Sequence, residues 1–317
     1  MLNASRLSKG IAVAIAITTV GIFLKKDSSI SVAEVIFDNL ESIALGTAAV
    51  IFLIEAPERR KQDRSEAWKA ISLARGELVN ANRVEALQKL NQYGEDLRRI
   101  DLSNCDLSDI DLSGSKLKLS TFVNTTLSRA NLAKADLENT DLSNANLVQA
   151  DLRGAYLRYA CLQDAQFLLA RLGDADLGGA NLERLQGEST FFVRANLRGV
   201  NLKEANLKSA YLRESFLVQA SLQKANLAFS NLEKADLREA NLQEVTFAQS
   251  NLKEANLKNA KLAGADLKWA KGVTHSQLSQ AKLCLTRLPD DIRLESNRDC
   301  EELGIDPETG DFLEAVH

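Results

Sequence analysis

The chain has 317 residues, 45% of them apolar and 5% aromatic, with three prolines and a net charge of −4. That length holds one large domain or two small ones with a real core, and the near-neutral balance gives no reason to expect a nucleic-acid partner. Cys105, Cys161, Cys284 and Cys300 lie far apart, without a C-x-x-C pair and with only His275 and His317 as companions, which argues against a zinc site.

The first element is the uncharged run Gly10 to Leu24, preceded by Arg6 and Lys9 and closed by Lys25 and Lys26. Phe23, Leu24 and two lysines stand where a cleavable signal needs small residues, so the run reads as an uncleaved anchor. Ser42 to Ile54 is a second apolar run. Its 13 residues fall short of the roughly 20 that span a bilayer as helix, and extending it back to Ile36 takes in Asp38, Asn39 and Glu41. Glu34, Asp38 and Glu41 share one helix stripe. That acidic stripe either answers Lys25 and Lys26 across a hairpin or is a solvated face outside the membrane. Residues 1–56 thus read as a membrane anchor of two transmembrane helices. Arg6 and Lys9 before it, with Arg59, Arg60, Lys61 and Arg64 after it, place both ends on the cytoplasmic side. If the second run is instead an amphipathic surface helix, the sidedness reverses.

Residues 57–94 turn polar, with Ala67, Trp68 and Ile71, then Val84, Leu87 and Leu90, at helical spacing. Two short helices fit, the second capped by Asn80 or Asn82 and stopped at Gly94. They join the anchor to the long regular segment beyond Gly94 and cover that segment's first open rung.

From Leu97 to Leu267, stepping by five, 30 of 35 positions are Leu, four are Phe (Phe122, Phe167, Phe192, Phe247) and one is Gly187. Two residues earlier 20 of 35 are Ala, and one residue earlier 21 of 35 are Asp or Asn, so the unit reads Ala-Asp/Asn-Leu-x-x. In a helix five residues turn about 500°, and successive leucines would form no stripe. In a straight strand an odd period would send them to alternate faces. The chain must turn a corner in every repeat. Leu and the Ala two before it then point inward, and the other three residues face water. The narrow interior explains why Ser, Thr and Cys, such as Cys105, replace Ala but Phe does not.

Runs such as Ala130-Asn131-Leu132 and Ala255-Asn256-Leu257 resemble the signature of the pentapeptide repeat family. The resemblance implies a mainly β fold, a right-handed quadrilateral parallel β-helix with one pentapeptide per side, 20 residues per coil and nearly nine coils over residues 95–271. At about 4.8 Å per coil the tower is roughly 40 Å tall. Each buried leucine contributes on the order of 2 kcal/mol against a comparable ordering cost, so stability rests on stacking and both ends need caps. Residues 272–317, helix-like over Ser276 to Lys282, supply the second cap and the tail. Sparse cysteine usage suits a reducing compartment, yet Cys284 and Cys300 pair if the tail folds back.

The repeat departs from its own rule at two kinds of place. Gly187 stands at the central position with Leu185 where a small residue belongs, and Phe167 lies one coil below, so Phe167 and Leu185 are expected to fill the gap through a local kink. Phe191 and Tyr211 are 20 residues apart at an outward position, on adjacent coils of one side, with Phe216 and Tyr156 round the neighbouring side. These four form either a binding patch or an aromatic ladder that stabilises adjacent strands. Charge is graded along the tower: 15 acidic and 10 basic residues over 95–190, against eight acidic and 12 basic over 191–270. Such a split suits end-to-end or side-by-side association.

No glycine-rich phosphate loop, converging acid and base, or cofactor motif appears. The sequence therefore points to a non-catalytic scaffold, tethered to a bilayer and binding a protein partner. Two alternatives remain. Some relatives implied by the resemblance mimic duplex DNA and shield a topoisomerase, but the basic second half and the anchor count against this. A regulatory role in a membrane transport assembly rests only on Glu34, Asp38 and Glu41.

Overall fold

The computed structural model describes residues 56–71 and 81–310. Both apolar runs, the stripe Glu34, Asp38 and Glu41, and Asn80 lie outside the described residues. Among those described, no helix is long and apolar enough to cross a membrane. The chain divides into two compact units, Met1–Lys69 and Ala70–His317. The described part of the first is helical, within helix α1 over 56–71. The second holds α2 (Ala81–Gln92), the repeat and α3 (His275–Ser279).

In the repeat, each Asp/Asn-position residue bridges in parallel to the one 20 further on, from Asp96 with Lys116 to Asn251 with Lys271. Four pentapeptides therefore close one coil. The four sides are numbered by their first rungs: side 1 from Asp96, side 2 from Asp101, side 3 from Asp106 and side 4 from Asp111. The corners are made two residues after each leucine, where the backbone enters the left-handed region, as at Arg99 (φ 61°), Arg194 (φ 57°) and Asn259 (φ 59°). For most side chains that conformation costs about 1–2 kcal/mol. It is held in place because the same N–H donates to the next coil, Arg194 N to Arg213 O at 3.0 Å.

The Asp/Asn preference has a local cause. The side-chain oxygen accepts from the N–H two residues on, as Asn181 Oδ1 does from Glu183 N at 3.2 Å and Asp101 Oδ1 from Ser103 N at 3.0 Å, which stabilises the turn into the corner. Asparagine adds a rung-to-rung bond, Asn201 Nδ2 to Asn181 Oδ1 at 3.0 Å. Inside, the leucines and phenylalanines of the tower are buried, and interior hydroxyls bond to leucine or phenylalanine carbonyls: Thr125 Oγ1 to Leu102 O at 2.7 Å, Ser230 Oγ to Leu227 O at 2.6 Å. Ser and Thr can replace Ala there because a carbonyl is usually within reach; Ser115, whose buried Oγ has no partner, is the exception among the described residues.

At Gly187 the bridges run on from Gln166 to Gln186 to Asn206 without interruption, so no loop protrudes. A Cβ on Gly187 would lie 3.1 Å from Leu185 Cδ2, 3.0 Å from Leu207 Cδ2 and 3.3 Å from Thr190 Oγ1. Leu185, in the same coil, and Leu207, from the coil above, occupy the space. Phe167 is fully buried in the coil below.

The two ends are closed by opposite chemistry. In every higher coil, carbonyls beside the leucine accept from the coil below, as Thr121 O does from Leu102 N. The first coil has none beneath it, and α2 supplies donors instead. Arg83 Nη2 reaches Asp101 O at 2.7 Å and Asn91 Nδ2 reaches Ser113 O at 3.0 Å, above buried Leu87 and Leu90. Gly94 (φ 68°) ends α2, with Gly94 N on Asn91 O and Glu95 N on Leu90 O, the glycine-terminated helix stop.

At the other end the ladder continues past Lys271. After α3, capped reciprocally by Thr274 and Gln277, Lys282 bridges Lys261 and Arg287 bridges Asp266, a step of 21. The upward N–H groups of this half coil, Leu283 and Leu285, donate to Asp299 Oδ2 and Asn297 Oδ1, each at 2.8 Å. The tail does fold back: Cys284 and Cys300 are disulfide-bonded, Cα atoms 4.7 Å apart, in a small cluster with Ala263, Ile305 and Leu303.

Candidate interaction surfaces

Because the interior is filled at every coil, what distinguishes one part of this tower from another is written on its outer sides. Among the described residues no three His, Cys, Asp or Glu side chains converge to hold a metal. On side 4, Phe191 and Tyr211 stack between adjacent coils with ring centroids 4.6 Å apart and planes 3° from parallel. Phe191 is half-buried and Tyr211 is exposed, so the pair is first a cross-coil ladder with one open ring face.

Tyr156 and Phe216 stand on side 1, both exposed, three coils or about 14 Å apart. The structure thus separates the four aromatics into two pairs on neighbouring sides. Between Tyr156 and Phe216 lie Gly178, Gly179 and Gly199, which carry no side chains. Tyr159, also exposed, lays its ring over Gly179: a Cβ there would sit 2.6 Å from Tyr159 Cε1. Arg158 lies 5.5 Å from that ring's centroid and 4.0 Å from Asp176. Side 1 therefore carries, between its aromatic rims, these three glycines alongside Asp176, Asn196 and exposed Arg198.

Charges on the corners pair up between coils. Arg129 meets Asp109 at 2.6 Å, Arg184 meets Asp164 at 2.7 Å and Arg194 meets Asp174 at 2.7 Å. The guanidinium hydrogen bonds hold each of these carboxyls below the usual range. Within one rung Arg98 clasps Asp96, whose carboxyl is lowered to about 2. These four acidic residues are neutralised where they stand, which interrupts the acidic charge along the sides.

A family model for pentapeptide repeats matches residues 96–133, 135–167, 165–203, 201–239 and 240–271, more than half of the chain. The chain belongs to the pentapeptide repeat family. Its solenoid is the right-handed β-helix of that family. Among solved structures it is similar to HetL from the cyanobacterium Nostoc sp. strain PCC 7120, a pentapeptide repeat protein involved in heterocyst differentiation regulation: 32% identity, 63% of this chain and 90% of that chain covered, TM-score 0.49. It is also similar to QnrB1, a plasmid-mediated fluoroquinolone resistance protein, at 17% identity over 66% of this chain and 99% of that one, TM-score 0.31. A pentapeptide repeat protein of the Arabidopsis thaliana thylakoid lumen matches at 20% identity over 43% and 79%, TM-score 0.17. Comparison with curated proteins gives no match.

Reading this pentapeptide repeat chain by fives alone passes over several surface features. Tyr159 stands two residues after its leucine, a position with no compositional rule, and its tie to Gly179 shows only at a spacing of 20. Leu168, Leu169, Phe229 and Trp269 are exposed on or beside side 3 and are likewise scattered until the coil length is used. Past the repeat, Leu278, Leu283 and Leu288 resume the five-residue step after a one-residue slip, a signal masked by α3.

Proposed function

We propose that this chain is a non-catalytic, membrane-tethered protein-interaction module in which the solenoid is a stiff display surface. The observation that carries this reading is the contrast between an interior filled with fully buried leucine, phenylalanine and alanine and sides bearing exposed aromatics, Tyr156, Tyr159 and Phe216 on side 1 and Tyr211 on side 4. A surface locked by ladder hydrogen bonds loses little conformational freedom on binding, so a few aromatic anchors suffice. The anchor rests on the runs Gly10–Leu24 and Ser42–Ile54. The paired charges speak against duplex-DNA mimicry, which needs an unbroken acidic side.

Disulfides persist on the oxidising side of a membrane. The Cys284–Cys300 bond therefore supports the sidedness of the single-span reading over the cytoplasmic one. Alkylation of the intact chain with and without reductant checks it: a bond present in protein from native membranes gives a two-thiol mass difference. Photo-crosslinking residues placed at 156 and 216 in native membranes are expected to capture the same protein, and Phe216→Ser to lose it. Capture of unrelated proteins at the two positions, or none, refutes the display role.

A further inference from the structure

Side 3 differs from the others in charge. Over the seven coils from Thr126 to Gln249, its 21 outward positions carry three charged residues, Arg129, Glu188 and Lys208. The matching positions carry 10 on side 1, eight on side 2 and 12 on side 4. In their place side 3 has Val148, Leu168, Leu169, Ala228, Phe229 and Ala248, with Leu168, Leu169 and Phe229 exposed. Depletion of charge with an apolar strip is the composition of an interface core, not of a solvated side.

The arrangement of that strip identifies its occupant. We infer that side 3 binds side 3 of a second copy of this chain, face to face and antiparallel, about a two-fold axis that runs along the strand direction between the coils of Gln186 and Asn206. Rotation about such an axis keeps each residue in its row and inverts its height. Leu169 then lies on Phe229 of the second copy, Leu168 on Ala228, and Val148 on Ala248. Glu188 faces Lys208 of the second copy, so the pair already joined at 3.8 Å within one chain becomes a four-charge cluster at the centre. Arg129 meets the ring of Trp269, which is exposed at the same corner, and Asp106 meets Arg287.

From Thr126 to Asp266 no like charges oppose one another on this side; at the outermost rungs, beside Asp106 and Arg287, Asp109 stands opposite Asp290. The rung count agrees: side 3 has ten rungs, Asp106 to Asp266 and then Arg287, and the axis divides them five and five. A parallel pair would set Glu188 on Glu188 and Lys208 on Lys208. On side 1 an antiparallel pairing about its middle rung, Asp176, would oppose Arg158 to Arg198, Lys118 to Arg238 and Arg98 to Lys258. Ten rungs of about 4.8 Å by four extended steps of about 3.3 Å cover roughly 600 Å² per copy, about 1,200 Å² in total, the lower end of specific interfaces. Tethering raises the local concentration of such a pair. Side 1 remains open in it, so the display surface and the self-association surface are separate.

The test uses the full chain in native membranes, with differently tagged copies carrying Leu169→Cys and Phe229→Cys and a mild oxidant. Co-expressed, the two variants are expected to form a covalent heterodimer. Either alone should give little, because Leu169 lies about three coils, or 14 Å, from its own counterpart across the axis. The unsubstituted chain controls for half-buried Cys161. Glu188→Lys should remove the heterodimer and Glu188→Lys with Lys208→Glu should restore it, at an unchanged unfolding midpoint. No heterodimer, or homotypic Leu169→Cys dimers as abundant as mixed ones, overturns the inference. Neither result touches capture at positions 156 and 216, so the two readings fail separately.

Discussion

The fault at Gly187 offers the sharpest test of how the interior is packed. Restoring the repeat by Gly187→Leu adds four heavy atoms where the first of them already lies 3.0–3.3 Å from Leu207, Leu185 and Thr190. Because Gly187 is not in the left-handed region, the penalty is one of space and not of backbone. Overpacking of this kind costs about 1–3 kcal/mol, and it endangers the bond from Thr190 Oγ1 to Phe167 O at 2.8 Å. Leu185→Ala alone leaves a cavity and costs about 2–5 kcal/mol. The double variant recreates the Ala-x-Leu pattern used by neighbouring coils, with the new leucine filling the space vacated by Leu185. It is expected within about 1 kcal/mol of the natural chain, a coupling of about 2 kcal/mol or more. Denaturant unfolding followed by circular dichroism reads all four corners of the cycle. A stabilising Gly187→Leu, or a double variant no better than the sum of the singles, would refute the account of Leu185 as the compensating side chain.

Asn181→Ala removes the acceptor for Glu183 N and the rung bond from Asn201, so a loss of about 1 kcal/mol is expected in the same assay; no change would mean the turn holds itself. Cys300→Ser frees a 16-residue separation and should cost on the order of 3 kcal/mol, with early proteolytic cutting between 289 and 310 as the readout. Arg83→Met strips the donor from Asp101 O and should lower stability by about 1–3 kcal/mol, first seen as faster hydrogen exchange in the lowest coil and not in the middle. Asp109, Asp164 and Asp174 are held low by arginine. Their stabilisation is full above the unfolded value near 3.9 and is lost as pH falls through the lower folded values. The unfolding midpoint should be flat from pH 7 to 5 and decline below about pH 4, and a decline already between 7 and 5 would exclude these pairs as the cause.

Whether a feature was legible in the sequence depended on its length scale. The five-residue register, the inward pairing of Leu with Ala and the need for end caps were legible, because a period that fits neither helix nor strand leaves only a corner per repeat. The stacking of Phe191 on Tyr211 was legible once 20 residues were taken as one coil. The meaning of Asp and Asn was not: composition marks them as outward, but their bond to the N–H two residues on belongs to a corner whose left-handed residue, Arg194 or Tyr159 as readily as Gly179, has no sequence signature. The last half coil was hidden by a one-residue slip at α3.

The sequence by itself determined that the chain turns a corner in every repeat around a filled interior, since that information recurs over 35 positions in one register with Gly187 as the one break; four corners per coil were what the resemblance implied, and the bridges from residue i to i+20 bear it out. The tertiary structure alone decided what each side carries. Period five sets in from out, whereas the bridge from residue i to i+20 gathers residues distant in sequence into one column. Only in those columns do the aromatics divide between sides 1 and 4, the corner charges pair, and side 3 stand out as the one side from which charge has been withdrawn.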